Sequence, residues 1–150
     1  MTLHQKRWFA RALIGLVFLW NIQCAAAFLA SPGAFAAGFE LTGAPGEGMI
    51  RGLGILFLMW NVPYAVALLD PVRRRVSLYE AFAMQAIGLA GESLLLASLP
   101  AGHAALRMSV TRFIWFDGAG LALLALAAVL GRIPRQPVSG NAAGSPSGKS

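Results

Sequence analysis

A chain of 150 residues that is 57% apolar and only 12% charged carries about half the charge of an ordinary soluble domain, which runs near 25%. So few charged side chains do not cover a water-facing globule, and the mean hydropathy of +0.66 agrees. A soluble enzyme, a disordered chain and a disulfide scaffold are excluded.

Four apolar stretches reach the roughly 20 residues that cross a bilayer: about 8–29, 50–69, 76–99 and 110–130. Lipid offers the backbone no hydrogen bonds, and the runs lack strand-like alternation, so each stretch is a helix. The expected fold is an all-α four-helix transmembrane bundle, one domain over 1–131. A tail, 132–150, rich in Gly, Ser, Pro and Asn follows, expected to be disordered and cytoplasmic.

Span one opens with Lys6, Arg7 and Arg11 and carries Trp8, Asn21 and Cys24. The basic start and the small residues Ala34 and Ala36 also suit a signal peptide, but the full spanning length favours a retained helix. Cys24 is the sole cysteine, so no internal disulfide and no Cys-x-x-Cys pair exists. The segment from Ala30 to Met49 is long for a structureless loop. It reads as a tolerated surface segment, with a lid as the alternative; Phe35, Phe39 and Leu41 would lie on the membrane or cap the bundle mouth.

Span two carries Asn61, Pro63 and Tyr64. Pro63 removes a backbone donor and is expected to kink the helix. Leu16, Trp20, Asn21, Ala25, Ala27 and Leu29 recur as Leu56, Trp60, Asn61, Ala65, Ala67 and Leu69 at one constant offset. Most of this echo is Ala and Leu; only the Trp-Asn pair is distinctive. The tight link from Asp70 to Arg75 makes spans two and three antiparallel neighbours.

Span three places Ala81, Gln85, Gly88 and Glu92 on one face, a small and polar stripe suited to close packing in lipid. Glu80, near the inner surface, is expected to pair with Arg73, Arg74 or Arg75. Span four carries Arg112, Trp115, Phe116 and Asp117. With Trp8 and Tyr79, Trp115 and Phe116 read as an aromatic belt.

An ionised side chain at the centre of a span costs about 2.5–3.5 kcal/mol on insertion scales. Counting inward from the span ends puts Asn21, Glu92 and Asp117 at one depth, roughly 10–12 Å below the boundary. Two carboxylates at one level do not both ionise cheaply unless Arg112 compensates. The candidate ligand or proton site is therefore Glu92, Asp117, Asn21, Arg112 and Gln85. A second polar level nearer the inside joins Asn61 and Tyr64 to Glu80 and Gln85. Either set is a proton- or cation-binding site, or neutral hydrogen-bonding glue between helices.

Orientation follows from Lys and Arg. Lys6, Arg7, Arg11, Arg73, Arg74, Arg75, Arg132, Arg135 and Lys149 fall on one side and only Arg51, Arg107 and Arg112 on the other, so both termini are expected inside. His4 and His103 lie outside the spans, so no axial haem pair forms. No zinc cluster, Ser-His-acid set, phosphate loop or Rossmann fingerprint occurs. No cofactor, metal or catalytic residue is expected. The lipid bilayer is the expected partner, with a membrane protein or a second copy beside it; nucleic acid is not.

The span layout over 8–131, Trp-Asn-Val-Pro-Tyr at 60–64 and Asp-Pro at 70–71 resemble small bacterial inner-membrane proteins of the BphX-like and DoxX-like groups. The resemblance implies a multi-pass protein of the bacterial inner membrane with an accessory role. The leading expectation is a non-catalytic accessory or interaction protein. Its rivals are a small-molecule or proton-coupled transport or binding protein and an intramembrane enzyme. A cavity open to the outside and lined by both acids favours the transport or binding rival, a closed apolar cavity with an acid and Trp115 favours the enzyme, and solid packing favours the accessory role.

Overall fold

The computed structural model describes residues 1–131; the expected disordered tail, 132–150, lies outside them. The elements are α1 (Leu3–Ala30), a short α2 (Pro32–Ala36), a 3-10 turn (Ala37–Phe39), α3 (Gly43–Leu69), α4 (Arg75–Ser98) and α5 (Ala104–Leu130). Four of these helices are long and apolar enough to cross a membrane, and no strand occurs among the described residues. The protein is an all-α four-helix bundle with the composition of a multi-pass membrane protein.

Hydropathy places the helix starts too late. Helix α1 begins at Leu3, α3 at Gly43 and α5 at Ala104, each several residues before the apolar run. The extra turns are mostly polar or small and sit beyond the apolar stretch. They are helical because their backbone is satisfied locally. The Thr2 side chain accepts from the Gln5 amide at 3.2 Å while the Gln5 side chain accepts from the Thr2 amide at 2.8 Å, a reciprocal cap. Pro45 is tolerated because it lies in the first turn of α3, where its missing N–H has no helical partner.

The four long helices form a ring. Helix α1 packs on α3 and α5, and α4 packs on the same two; across one diagonal the Phe57 and Phe113 rings still stack, their centres 5.9 Å apart. One end of the ring holds the start of α1, the 70–74 link and the end of α5; the other holds the segment 31–42 and the 99–103 turn. These are called the termini end and the loop end below.

The interior is built from small residues. Ala10, Ala25, Ala67, Ala81 and Ala127 are fully buried, whereas Leu16, Leu19, Ile87, Leu94 and Trp115 are exposed. Large side chains outside and small ones inside suit a bundle in lipid, where association gains from close backbone approach rather than from removing oil from water. Two apolar clusters result. One, with Ile14, Val17, Leu78 and Leu124, fills the termini end. The other, with Phe28, Ala36 and Ile50, fills the loop end.

The segment 30–49 is not a structureless surface loop. Helix α2, of five residues, and the 3-10 turn, of three, lie within it, and α3 begins inside it. Phe35 and Phe39 pack against Phe28, Leu41 joins the same cluster, and together they cap the bundle mouth. Ser109 donates to the Gly38 carbonyl at 2.6 Å, and the Glu40 carboxylate reaches His103 Nδ1 at 2.5 Å and the Leu106 amide at 3.3 Å. The cap is thereby fastened to α5. At the opposite end Asp70 Oδ1 accepts from the Val72 and Arg73 amides at 3.0 and 3.1 Å. These bonds form the tight link and hold the Asp70 carboxyl below its ordinary range, the Arg73 amide first.

Candidate functional site

Between the two apolar clusters runs a chain of polar side chains drawn from three helices. The Tyr64 hydroxyl on α3 donates to Gln85 Oε1 on α4 at 2.5 Å and lies 3.1 Å from the Ala81 carbonyl oxygen. Gln85 Nε2 then donates to Asp117 Oδ1 on α5 at 2.7 Å. Glu92, two turns along α4 from Gln85, lines the same cavity as Asp117. Its Oε2 is buried without a hydrogen-bond partner.

Glycines make room for this chain. A side chain at Gly88 would run into Asp117 Oδ2, and a Cβ at Gly120 would sit 2.6 Å from Gln85 Nε2. The stripe on α4 therefore does two things at once: Gly88 lets α5 approach, and Gln85 and Glu92 meet what α5 brings.

A cavity of about 240 Å³ opens along the chain, lined by Asn21, Tyr64, Gln85, Glu92 and Asp117 among apolar residues of α3 and α4. Depth counting pointed to one level for Asn21, Glu92 and Asp117, and the structure brings all three to this wall. The two polar levels are one: Tyr64 hydrogen-bonds to Gln85, which hydrogen-bonds to Asp117. Asn61 is buried but turns back on its own helix, donating to the Phe57 carbonyl at 2.6 Å; its Oδ1 has no partner.

Two expected members are not there. Arg112 is exposed and lines a different cavity; among the described residues it forms no ion pair within 4 Å. Glu80 is exposed and does not meet Asn61 or Tyr64. Nor does it pair with the basic link, where Arg73 approaches Asp70 at 3.9 Å instead. Phe116 also leaves the expected belt, packing edge-on against Trp20 at 4.8 Å between ring centres. Trp8, Tyr79 and Trp115 do face outward.

A second cavity was not foreseen. It measures about 550 Å³ and lies at the loop end, walled by α1, α2, the 3-10 turn, α3 and α5. The chain's phenylalanines carry the signal for it: six of the nine line it, from positions far apart in sequence.

No family model, curated protein or solved structure matches this chain.

Proposed function

We propose that this is a non-catalytic, multi-pass protein of a bacterial inner membrane that binds a proton, or a small cation in its place, at Glu92 and Asp117. The observation that carries the reading is the cavity lined by both acids, with one Glu92 oxygen buried and unpartnered. Buried polar atoms are nearly always satisfied, so this oxygen calls for a proton, water or ion. At about 240 Å³ the space falls below the roughly 300–1,000 Å³ of pockets for organic ligands. It suits waters or one ion. An accessory role without a ligand calls for solid packing at this level, and so fits less well.

The hydrogen-bonded chain supports the same reading. With Asp117 ionised, Gln85 donates to it and accepts from Tyr64. With Asp117 protonated, a turned amide accepts from Asp117 and donates to Tyr64. The Tyr64 proton then goes to the Ala81 carbonyl, which already lies within 3.1 Å. The chain thus has a complete set of partners in either protonation state.

The test is a pH titration of the carboxyl infrared bands in reconstituted protein, beside Glu92→Gln, Asp117→Asn and Tyr64→Phe. A shared proton gives coupled titrations, and removing either acid shifts the titration of the other, while both variants still fold. Two independent carboxyl titrations would sink the reading.

A further inference from the structure

The cavity at the loop end is a separate space from the acid cavity, sharing only Phe57 with it. Phe28 is its hub, with ring centres 5.0 Å from Phe35, 6.0 Å from Phe39 and 6.4 Å from Phe113. Trp20 and Phe116 close the α1–α5 side. These rings come from separate elements and hold one another, so the walls are formed before any ligand arrives. The volume of about 550 Å³ lies within the range of roughly 300–1,000 Å³ typical of sites for organic molecules.

Its electrostatics are one-sided. Arg112 is the only charged residue on the lining. The acids of the loop end are already engaged: Glu40 with His103 and the Leu106 amide, Glu47 with Arg51. Arg112 therefore has no internal counter-ion among the described residues. A cation finds nothing here to balance it. A phosphate-bearing headgroup calls for several charged donors, and the lining supplies one guanidinium and the neutral Gln23 amide, the Ser109 hydroxyl being spent on the Gly38 carbonyl. A carboxylate presents two oxygens that match one guanidinium fork.

We propose that this chamber binds an amphipathic monocarboxylate, its apolar body among the rings and its carboxylate on Arg112.

The probe is bromodecanoate, whose bromine quenches a nearby indole. It is titrated into phosphatidylcholine nanodiscs holding a chain in which Trp20 is the sole tryptophan (Trp8→Phe, Trp60→Phe, Trp115→Phe). The matched control keeps only Trp115, which is 75% exposed and reports partition into lipid. Bromodecanol supplies the same tail without charge. The expected result is saturable quenching of Trp20 by the acid, about tenfold weaker with the alcohol and with Arg112→Gln, as the loss of a charge-assisted hydrogen bond implies. Trp115 should show no saturation. Equilibrium dialysis of radiolabelled decanoate against the unaltered chain and Arg112→Gln repeats the comparison without tryptophan changes. Equal binding of acid and alcohol, indifference to Arg112→Gln, or equal quenching of Trp20 and Trp115 would each overturn the proposal. None of these outcomes bears on the Glu92–Asp117 site.

Discussion

Glu40 shows how one side chain holds a strained backbone. It is the sole non-glycine residue with positive φ among the described residues, at 57°, a conformation costing roughly 1–2 kcal/mol for a residue with a Cβ. Its carboxylate offsets this by reaching His103 and the Leu106 amide. The His103 hydrogen bond, then the Leu106 amide, holds the Glu40 carboxyl below its ordinary value. A carboxyl lowered by folding contributes stability that is present above its unfolded value, near 4.3, and is lost as pH falls through the lowered folded one. Hydrogen-exchange protection of the Leu106 amide should therefore hold from about pH 7 to pH 5 and fall below about pH 4. In Glu40→Ala, which removes the acceptor, it should be low throughout. Protection that survives well below the carboxyl range would show that the contact does not fasten the cap. Gly120 and Gly118 provide a second pair. Gly120→Ala forces Gln85 aside, whose nearest atom would lie 2.6 Å from the new Cβ, whereas at Gly118 the nearest is Leu89 Cδ1 at 3.9 Å. Thermal unfolding in detergent should show a loss of about 1–3 kcal/mol for Gly120→Ala and a neutral change or a gain of up to about 1 kcal/mol for Gly118→Ala. Similar shifts would mean that Gln85 is free to swing. Counting depth located Asn21, Glu92 and Asp117 because rise per residue is nearly constant. It misplaced Arg112 and Glu80 because five residues turn a helix by about 140°, so Arg112 leaves the Asp117 face and Glu80 the Gln85 face.

At the scale of the element, α4 shows which patterns a sequence carries openly. Ala81, Gln85, Gly88 and Glu92 share a face by spacing alone, and that face meets α3 and α5. Gly88→Leu should lower the unfolding temperature in detergent sharply, because any side chain there strikes the Asp117 carboxylate. Leu94→Ile, at a position 72% exposed, should be mild. Comparable losses would remove the stripe as an interface. The segment 30–49 was less legible. Its Gly, Pro and Ala content suits a loop, yet Phe35 and Phe39 find partners on α1 and α5 that no local pattern reveals. The aromatic chamber was hidden for the same reason, since Phe28, Phe57 and Phe113 meet only after the helices assemble.

For the whole molecule, composition and the lengths of the apolar runs were enough to define the bundle, because spanning chain in lipid has few alternatives to a helix. Orientation is a different matter, since a bundle has the same internal contacts either way up. What separates the two directions is charge relative to the membrane. Lys6, Arg7, Arg11, Arg73, Arg74 and Arg75 lie at the termini end; Arg51, Arg107 and Arg112 lie at the loop end. Arg132, Arg135 and Lys149 follow α5 in sequence, outside the described residues. The positive-inside rule predicts the termini end in the cytoplasm. In that orientation the Arg112 chamber would face the outer side and Glu92 and Asp117 would lie below it. Cysteine labelling decides the point with little disturbance, since Cys24 is the only native thiol and Cys24→Ala clears the background. Ala101 and His4 are both exposed, at opposite ends. In intact cells a membrane-impermeant maleimide should label Ala101→Cys and leave His4→Cys untouched until the membrane is broken. A reporter fused after Arg135 should stay cytoplasmic. If His4→Cys is labelled and Ala101→Cys protected, the bundle lies the other way up, and the Arg112 chamber opens toward the cytoplasm.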